Sequence, residues 1–389
     1  MDGKVSILLA AVEPSADEIA AQVYRELKNL LAGQAKFVGC GGERMRSEGF
    51  HSAFSVAPFS VMGATDVLRV APLAVKRAHQ LTDLVAANDV NVAIFVDGWA
   101  FSRLAARQIR KRSPNTRIYK LAAPQIWASR ASRIKFVKNN FDGVLALLPF
   151  EPDLFRRDGV RSEFIGNPNF QSAWNSRGTG EAFRKRHNLV DREILAVFLG
   201  SRASELRNLA RTFRETAISV CERRPNLQLI TVPASNIADD VKIEVASWPG
   251  KPIIVPPEEK YDAFAAADVA LAASGTISTE LAINQTPTII AYKVDPLTAL
   301  WARRVVKTPF ASIINVLADE FIIPEFIQEK CQADLIADKV LAFLADESLR
   351  AKQVTRMQHE LGKLEIDGPP AAARAAKTIV DWAKEDNAI

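Results

Sequence analysis

The sequence predicts an α/β protein built from two doubly wound parallel sheets. Three observations predict it. The first half alternates short apolar runs with stretches of helical spacing, the second half repeats that plan, and a polar segment separates the two. In the first half the strands are read as VSILLAA (5–11), AKFVGCGG (35–42), VNVAIFVDG (90–98), RIYKLAA (117–123) and GVLALLPFE (143–151). Amphipathic stretches such as IAAQVYRELKNLL and residues 74–88 lie between them. Near-continuous Val/Ile/Leu strands alternating with helices imply a parallel sheet covered on both faces.

The second half reads the same way through REILAVFLGS (192–201), NLQLITVPAS (226–235), KPIIVPP (251–257), DVALAAS (268–274) and PTIIAYKV (287–294). The change falls in FIGNPNFQSAWNSRGTG (164–180), rich in Asn, Gly and Ser. The tail from about residue 333 is helical and is interrupted at DGPPAAA (367–373). Domains are expected at 1–168 and 169–350, with C-terminal helices at 351–389. In two such domains ligands are expected in a cleft at the carboxyl ends of the strands.

A chain of 389 residues is too long for one ordinary core, which agrees with two domains. Fifty basic against 45 acidic residues leave +5, an excess that suits anionic small ligands or an acidic membrane surface. No Lys/Arg run is dense enough to argue for nucleic acid. Cys40, Cys221 and Cys331 are far apart and form no CxxC or Cys/His cluster, so neither a disulfide framework nor a zinc site is suggested. The start lacks the cationic and apolar regions of a signal peptide, and no apolar stretch approaches the roughly 20 residues that span a bilayer. A cytoplasmic protein is expected.

The first strand runs into VEPSADE (12–18), where many α/β proteins place glycine and an anion. Here Glu13, Ser15 and Asp17 occupy the turn. Ser15 is expected to cap the first helix, Asp17 to suit its positive end, and Glu13 to meet sugar hydroxyls. In ALAASGTISTELA (270–282) Gly275 permits a tight turn and Thr276 or Ser278 can cap the next helix. That junction is a ready anion site, with Glu280 one turn in and able to bond vicinal hydroxyls. The plain alternative is a simple strand–cap–helix junction.

In FLGSRASEL (198–206) Arg202 stands at a helix start, where a cation is disfavoured unless it shares an anion such as a diphosphate. The alternative is a solvent-facing Arg202 paired with Glu205. Asp97 in IFVDGWAFS (94–102) ends a buried strand and is a candidate general base, or a helix cap. LAAPQIWASRASRIKFVKNN (121–140) supplies Trp127 and Arg130, followed by Arg133, Lys135 and Lys138, which suit an acidic ligand or form a solvated face. Asn315, Glu325 and Gln328 are polar positions in an apolar segment (315–331), where amides can read a base edge. Residues 57–80 are apolar with basic residues trailing, which fits a lipid-facing patch or core packing. There is no DxD, P-loop or GxGxxG, and His51, His79, His187 and His359 lie near none of these motifs.

Taken together these motifs resemble the lipid-A-disaccharide synthase family, inverting glycosyltransferases of the GT-B type. The likeness runs from VEPSADE through FVGCGGERMRSEG (37–49), SVMGATDVL (60–68), FVDGWAF, PQIWASR, LLPFE (147–151), FIGNP (164–168) and LGSRASE to ASGTISTELA, RRVVKTPFASIINVLA (303–318) and IPEFIQEKC (323–331). The resemblance implies two Rossmann-like domains facing a central cleft, with C-terminal helices packing back toward the N-terminal domain.

It implies transfer of a sugar from UDP-2,3-diacylglucosamine to 2,3-diacylglucosamine 1-phosphate (lipid X), giving the β-1,6 disaccharide phosphate and UDP. Asp97 and Arg202 would be catalytic. Ser201, Gly275, Thr276, Glu280, Asn315, Glu325 and Gln328 would surround the UDP-sugar. Glu13, Ser15, Asp17, Trp127 and Arg130 would lie on the acceptor side. Family members use no metal or other cofactor, sit on the cytoplasmic face of the inner membrane, and can dimerise by exchanging C-terminal segments.

The chain departs from the family pattern mainly in the acceptor half. G-E-x-S-G-D is here Val12-Glu13-Pro14-Ser15-Ala16-Asp17, and D-x-P-D-F-N keeps Asp97 but has Trp99, Ala100 and Ser102. S-P-x-x-W-A-W ends in Ser129, and P-G-S-R has Leu199. Side chains at Val12 and Ala16 are expected to narrow the approach of the acceptor. A relative that glycosylates a different lipid, or a silent paralogue that only binds nucleotide sugar or lipid, remains open at this point.

Overall fold

The computed structural model describes residues 5–59, 64–127, 132–273, 275–295, 298–300, 304, 306 and 308–389, with the backbone alone at 64–69 and 132. The chain divides into two compact units, one of residues 1–171 with 368–389 and one of residues 172–367. Unit 1 carries β1 (Val5–Ala11), β2 (Ala35–Cys40), β3 (Val92–Val96), β4 (Arg117–Leu121), β5 (Gly143–Ala146) and β6 (Ser162–Phe164). They form one parallel sheet in the order β2-β1-β3-β4-β5-β6.

Unit 2 carries β7 (Ile194–Phe198), β8 (Gln228–Thr231), β9 (Ile253–Ile254), β10 (Val269–Ala272), β11 (Thr288–Tyr292) and β12 (Glu325–Ile327). Their order is β12-β11-β10-β7-β8-β9, again parallel.

Successive strand residues face opposite sides, so each strand feeds two cores. In unit 1, Ile7, Leu9, Ile94, Val96, Tyr119 and Leu121 meet the helices Pro14–Leu30 and Ala371–Glu385 through Val23, Leu27, Ile379 and Trp382. Leu8, Ala10, Ala93, Phe95 and Ile118 form the other face with Leu81, Val85, Ala105 and Ile109. In unit 2, Leu195, Val197, Leu229, Leu271 and Ile289 pack with Leu209, Phe213, Val220, Ile336 and Val340.

The C-terminal helices do not act as one block. Glu347–Gly362 belongs to unit 2, where Gln353 bonds the backbone of Thr288 and Ile322. Ala371–Glu385 returns to unit 1 and lies against the first helix. There Trp382 stacks edge-on to Tyr119 at 5.5 Å, and the Tyr119 hydroxyl donates to Asp386 at 3.0 Å.

Strand order places one reversal in each sheet. In unit 1 the chain leaves β1 for β2 on one side and then reaches β3 on the other. In unit 2 it leaves β7 for β8 and later reaches β10. Crevices at such reversals, at the carboxyl ends of the strands, are where open α/β sheets bind ligands.

The expected roles of Ser15 and Asp17 change here. The first helix begins at Pro14 with Glu13 at the N-cap, because proline's fixed φ and missing N–H suit the first helical position. Ser15 is therefore inside the first turn, exposed, and no side-chain cap is made. Asp17 is buried and turns away from its own helix. Its carboxylate accepts the backbone N–H groups of Gly42 (2.7 Å), Arg44 (2.8 Å) and Met45 (3.3 Å), and so holds the start of the helix Glu43–Ser47. A Cβ at position 42 would stand 2.6 Å from Asp17 Oδ2, which explains the glycine there. Asp17→Ala leaves three N–H groups to find new partners. It is expected to lower stability by about 2–4 kcal/mol in urea unfolding, and a loss under about 0.5 kcal/mol would refute this role.

Candidate functional site

The reversal in unit 1 lies between the turn after β1 and the turn after β3. The first holds Val12 and Glu13, the second Asp97 and Gly98. The two turns touch closely, since a Cβ on Gly98 would fall 2.9 Å from Val12 Cγ2 and 3.7 Å from Glu13 Oε1. Gly98 has φ +53° and Asp97 +45°, so the chain turns through left-handed backbone before the helix Trp99–Arg112. Glycine adopts this at little cost, whereas an aspartate does so less readily and needs support.

Support comes from hydrogen bonds to the Asp97 backbone. Its N–H donates to Leu121 O at 2.9 Å, and its carbonyl accepts Ser102 Oγ at 2.6 Å and Lys120 Nζ at 2.7 Å. The Asp97 carboxylate itself is half-buried at the edge.

Val12 and Ala16 do not face a ligand. Both are buried in the two cores of unit 1, so they fill interior space and do not narrow an acceptor's approach. Trp127 is half-buried, and its Nε1 donates to Glu151 Oε1 at 3.0 Å. Arg130 lies outside the described residues.

Two residues that sequence reading passed over sit at the same edge. Glu151 is 3% exposed and accepts Trp127 Nε1 and the N–H of Leu148 (3.1 Å). Burial pushes its carboxyl up to about 7, against the pull of those hydrogen bonds, and the neighbouring Asp97 adds to the rise. Lys120 is 1% exposed within β4, and burial draws its ammonium down to about 8 while Asp97 and Glu13 oppose the fall. A shift of that size costs on the order of 3 kcal/mol in the charged form. Lys120 could have been suspected from RIYKLAA, because alternation puts it on the same face as apolar Ile118.

In unit 2 the reversal lies between the turns after β7 and β10, which are tied by Ala273 N–H donating to Phe198 O at 3.0 Å. The turn after β7 carries Gly200, Ser201 and Arg202, and Arg202 is the N-cap of the long helix Ala203–Arg223. The Arg202 side chain is 53% exposed and pairs with Glu205 at 3.0 Å. The other Glu205 oxygen accepts Ser201 N–H at 2.8 Å. The structure thus has the i,i+3 pair, with both donors of the expected anion site already engaged by Glu205.

After β10, Gly275 and Thr276 are exposed, and buried Ser278 donates to Gly275 O at 2.9 Å. Glu280 lies in the first turn and pairs with Lys260 at 2.5 Å.

Asn315 is fully buried. Its amide donates to Ile323 O (2.8 Å) and Glu325 Oε1 (2.7 Å), and its oxygen accepts the N–H groups of Ile322 and Ile323. Glu325 also accepts the N–H groups of Ala311 and Ser312, both at 2.8 Å. In this conformation the pair braces the segment 311–325 and presents no free edge to a base. Gln328 is half-buried with φ +54°, directly after β12.

Comparison with known proteins places this arrangement in a family. The family model described as lipid-A-disaccharide synthetase matches residues 7–379. A lipid-A-disaccharide synthase of Paramagnetospirillum magneticum is 37% identical, over 97% of this chain and 98% of its own. One from Rhodospirillum centenum is 33% identical, over 96% and 94%. Among solved structures, a S. aureus MnaA–UDP co-structure aligns with a TM-score of 0.66 at 9% identity, covering 99% of this chain and 97% of that one. UDP-GlcNAc 2-epimerase from Neisseria meningitidis, bound to UDP-GlcNAc, aligns at 0.61 and 9% identity, covering 98% and 99%. These structures share the fold, the GT-B pairing of two Rossmann-like domains. With the family model spanning both sheets and the relatives matching at more than 30% identity nearly end to end, the chain belongs to the lipid-A-disaccharide synthase family of glycosyltransferases.

Proposed function

We propose that this protein transfers the diacylglucosaminyl group of UDP-2,3-diacylglucosamine to the 6-hydroxyl of lipid X, forming the β-1,6 disaccharide 1-phosphate and UDP. The observation that supports it most is that each sheet puts its motif residues at its reversal, Glu13 and Asp97 in unit 1 and Gly200–Arg202 with Gly275–Thr276 in unit 2.

In this reading unit 1 serves the acceptor and unit 2 the donor. Asp97 takes the proton of the 6-hydroxyl as that oxygen attacks the anomeric carbon. The bond from carbon to diphosphate breaks, its electron pair leaves with UDP, and the configuration inverts. Such base catalysis is worth about 10²–10⁴-fold. Arg202 leaves Glu205 for the diphosphate and stabilises the charge that grows there, helped by the N-terminal end of the helix Ala203–Arg223. Glu205 then keeps Ser201 N–H and holds the turn in shape. A cationic side chain in that place supplies the charge that a metal provides elsewhere, so the reaction is proposed to need no metal or other cofactor.

Glu280 and Gln328 are the proposed contacts to the nucleoside, with Asn315 and Glu325 acting through the loop they brace. Glu13 and Trp127 are proposed for the acceptor. Both substrates are lipids, and among the described residues no helix is long and apolar enough to cross a membrane. Peripheral attachment to the cytoplasmic face of the inner membrane follows as a proposal, as does a homodimer. The use of a different lipid acceptor loses part of its support, because Val12 and Ala16 point into the cores.

Purified protein incubated with UDP-diacylglucosamine and lipid X is expected to release UDP and disaccharide phosphate in equal amounts without added metal. UDP without disaccharide would mean that the sugar passes to water and would remove lipid X as the acceptor, and UDP binding without turnover would identify a silent paralogue. Asp97→Ala is expected to lower kcat by about 10²–10⁴-fold with UDP affinity unchanged, and full activity would remove the base assignment. Arg202→Ala is expected to cut kcat/KM by roughly 10²-fold or more. A change under threefold would sink its role at the diphosphate.

A further inference from the structure

Lys120 is explained neither by strand packing nor by the transfer step. It lies in β4 between apolar neighbours, 1% exposed, with its Nζ donating to the carbonyls of Asp97 (2.7 Å), Leu121 (3.1 Å) and Phe95 (3.3 Å). We propose that Lys120 is a positioning residue for the transfer reaction, its buried ammonium holding the turn that carries Asp97 and supplying the positive field beside that carboxylate. The proposal rests on the reading of Asp97 as the base.

The turn needs such a holder. Asp97, Gly98 and Ala122 all have left-handed backbone, at φ +45°, +53° and +65°. Non-glycine residues take that conformation rarely and persist in it when the surroundings over-determine it. Lys120 binds the carbonyl on one side of the Asp97 Cα and also binds Leu121 O, the acceptor of Asp97 N–H. One group therefore fixes both ends of the residue.

Two of its three carbonyls do not need it. Asp97 O keeps Ser102 Oγ, and Leu121 O keeps Asp97 N–H, when the ammonium is removed. An apolar side chain of similar length would leave those two carbonyls bonded and would avoid the cost of a buried charge.

The charge has a directed environment instead. The ionisable groups that act on it are Asp97 at the end of β3 and Glu13 at the end of β1, while Glu151 at the start of the helix Glu151–Arg156 interacts with Asp97. Lys120 feels Asp97 and Glu13 directly, and Glu151 feels Asp97. The ammonium is thus a cation beside two carboxylates, Asp97 and Glu13, at the reversal where the acceptor is proposed to bind. Its proton, held to about pH 8, gives the arrangement a limit on the alkaline side.

The test is Lys120→Met in the full-length protein, read by kcat, by KM for each substrate, by the pH profile and by melting temperature. The expected result is a kcat lower by on the order of 10²-fold, the loss that a small misplacement of a reacting group brings. KM for the UDP-sugar stays within about twofold, because unit 2 carries the donor residues.

The melting temperature at pH 7 is equal to or above that of the wild type. Because the folded-state value of Lys120 lies below its ordinary value, wild-type stability rises with pH from about 8 toward 10.5, so the advantage of the variant shrinks over that range. The fall of wild-type kcat near pH 8 is absent from the variant. Ser102→Ala, which removes the other donor to Asp97 O, lowers kcat by roughly fivefold at unchanged donor KM.

A folded Lys120→Met with wild-type kcat, alongside an inactive Asp97→Ala, overturns the proposal and leaves the base assignment standing. An active Asp97→Ala removes the base assignment itself. A Lys120→Met chain that melts well below the wild type or does not fold makes Lys120 a scaffold group and overturns the proposal, as does an unchanged kcat in Ser102→Ala.

Discussion

The carboxyl edge of a parallel sheet is the constraint on which the rest of this protein depends. Because all strands in a unit run the same way, each must return through a helix or loop, and every strand-to-helix turn falls on one edge. The interior can then be built almost wholly from Val, Ile, Leu, Ala and Phe. Polar chemistry is confined to a line of turns, and the reversal in strand order opens a crevice at one place along that line. Most of the family's motifs are widely spaced in sequence because they mark the ends of different strands.

What the edges contain differs between the units. In unit 2 the buried polar groups mostly brace turns. Glu205 holds the turn after β7, while Asn315 and Glu325 hold the segment before β12, each with its hydrogen bonds made internally. In unit 1 two buried groups at the edge are displaced far from their ordinary values by burial, Glu151 upward and Lys120 downward, and in unit 2 burial raises Glu325 as well. Displacements of this kind weaken the folded state. Proteins carry such groups where function needs them, and stability lost at a site is recovered in the surrounding core.

The fold was legible because parallel strands buried on both faces leave continuous apolar runs, and ten strands were read that way. The two that escaped, β6 and β12, are three residues long and mostly not buried, so SEF and EFI lack such a run. The strand ends were read too long, as in GVLALLPFE, because the apolar run continues into the turn after the strand itself stops at Ala146. Asp97, Arg202 and Gly275 were legible as polar or glycine residues in the turns that follow apolar strands. Asp17 and Asn315 were not, because their partners lie in other segments. Nothing local shows that Asp17 faces Gly42 or that Asn315 folds back on Ile323. Lys120 carried a signal in its position on an apolar face, but only the tertiary structure names its three carbonyls.

The return of the helix Ala371–Glu385 to unit 1 sets the order in which this chain can become whole. Ala372, Ala375, Ala376, Ile379, Val380, Trp382 and Ala383 complete a core whose other buried members all precede residue 166. During synthesis, domains generally form as units from the N-terminal end. Here the first sheet emerges early with one face covered only in part, by the helix Pro14–Leu30, and everything needed for unit 2 follows before the last helix is made. The unit encoded first is the one finished last. A chain shortened by about twenty residues at its end therefore loses cover from one face of the sheet in the half farthest away in sequence, the sheet whose β3 leads into Asp97, and keeps unit 2 complete.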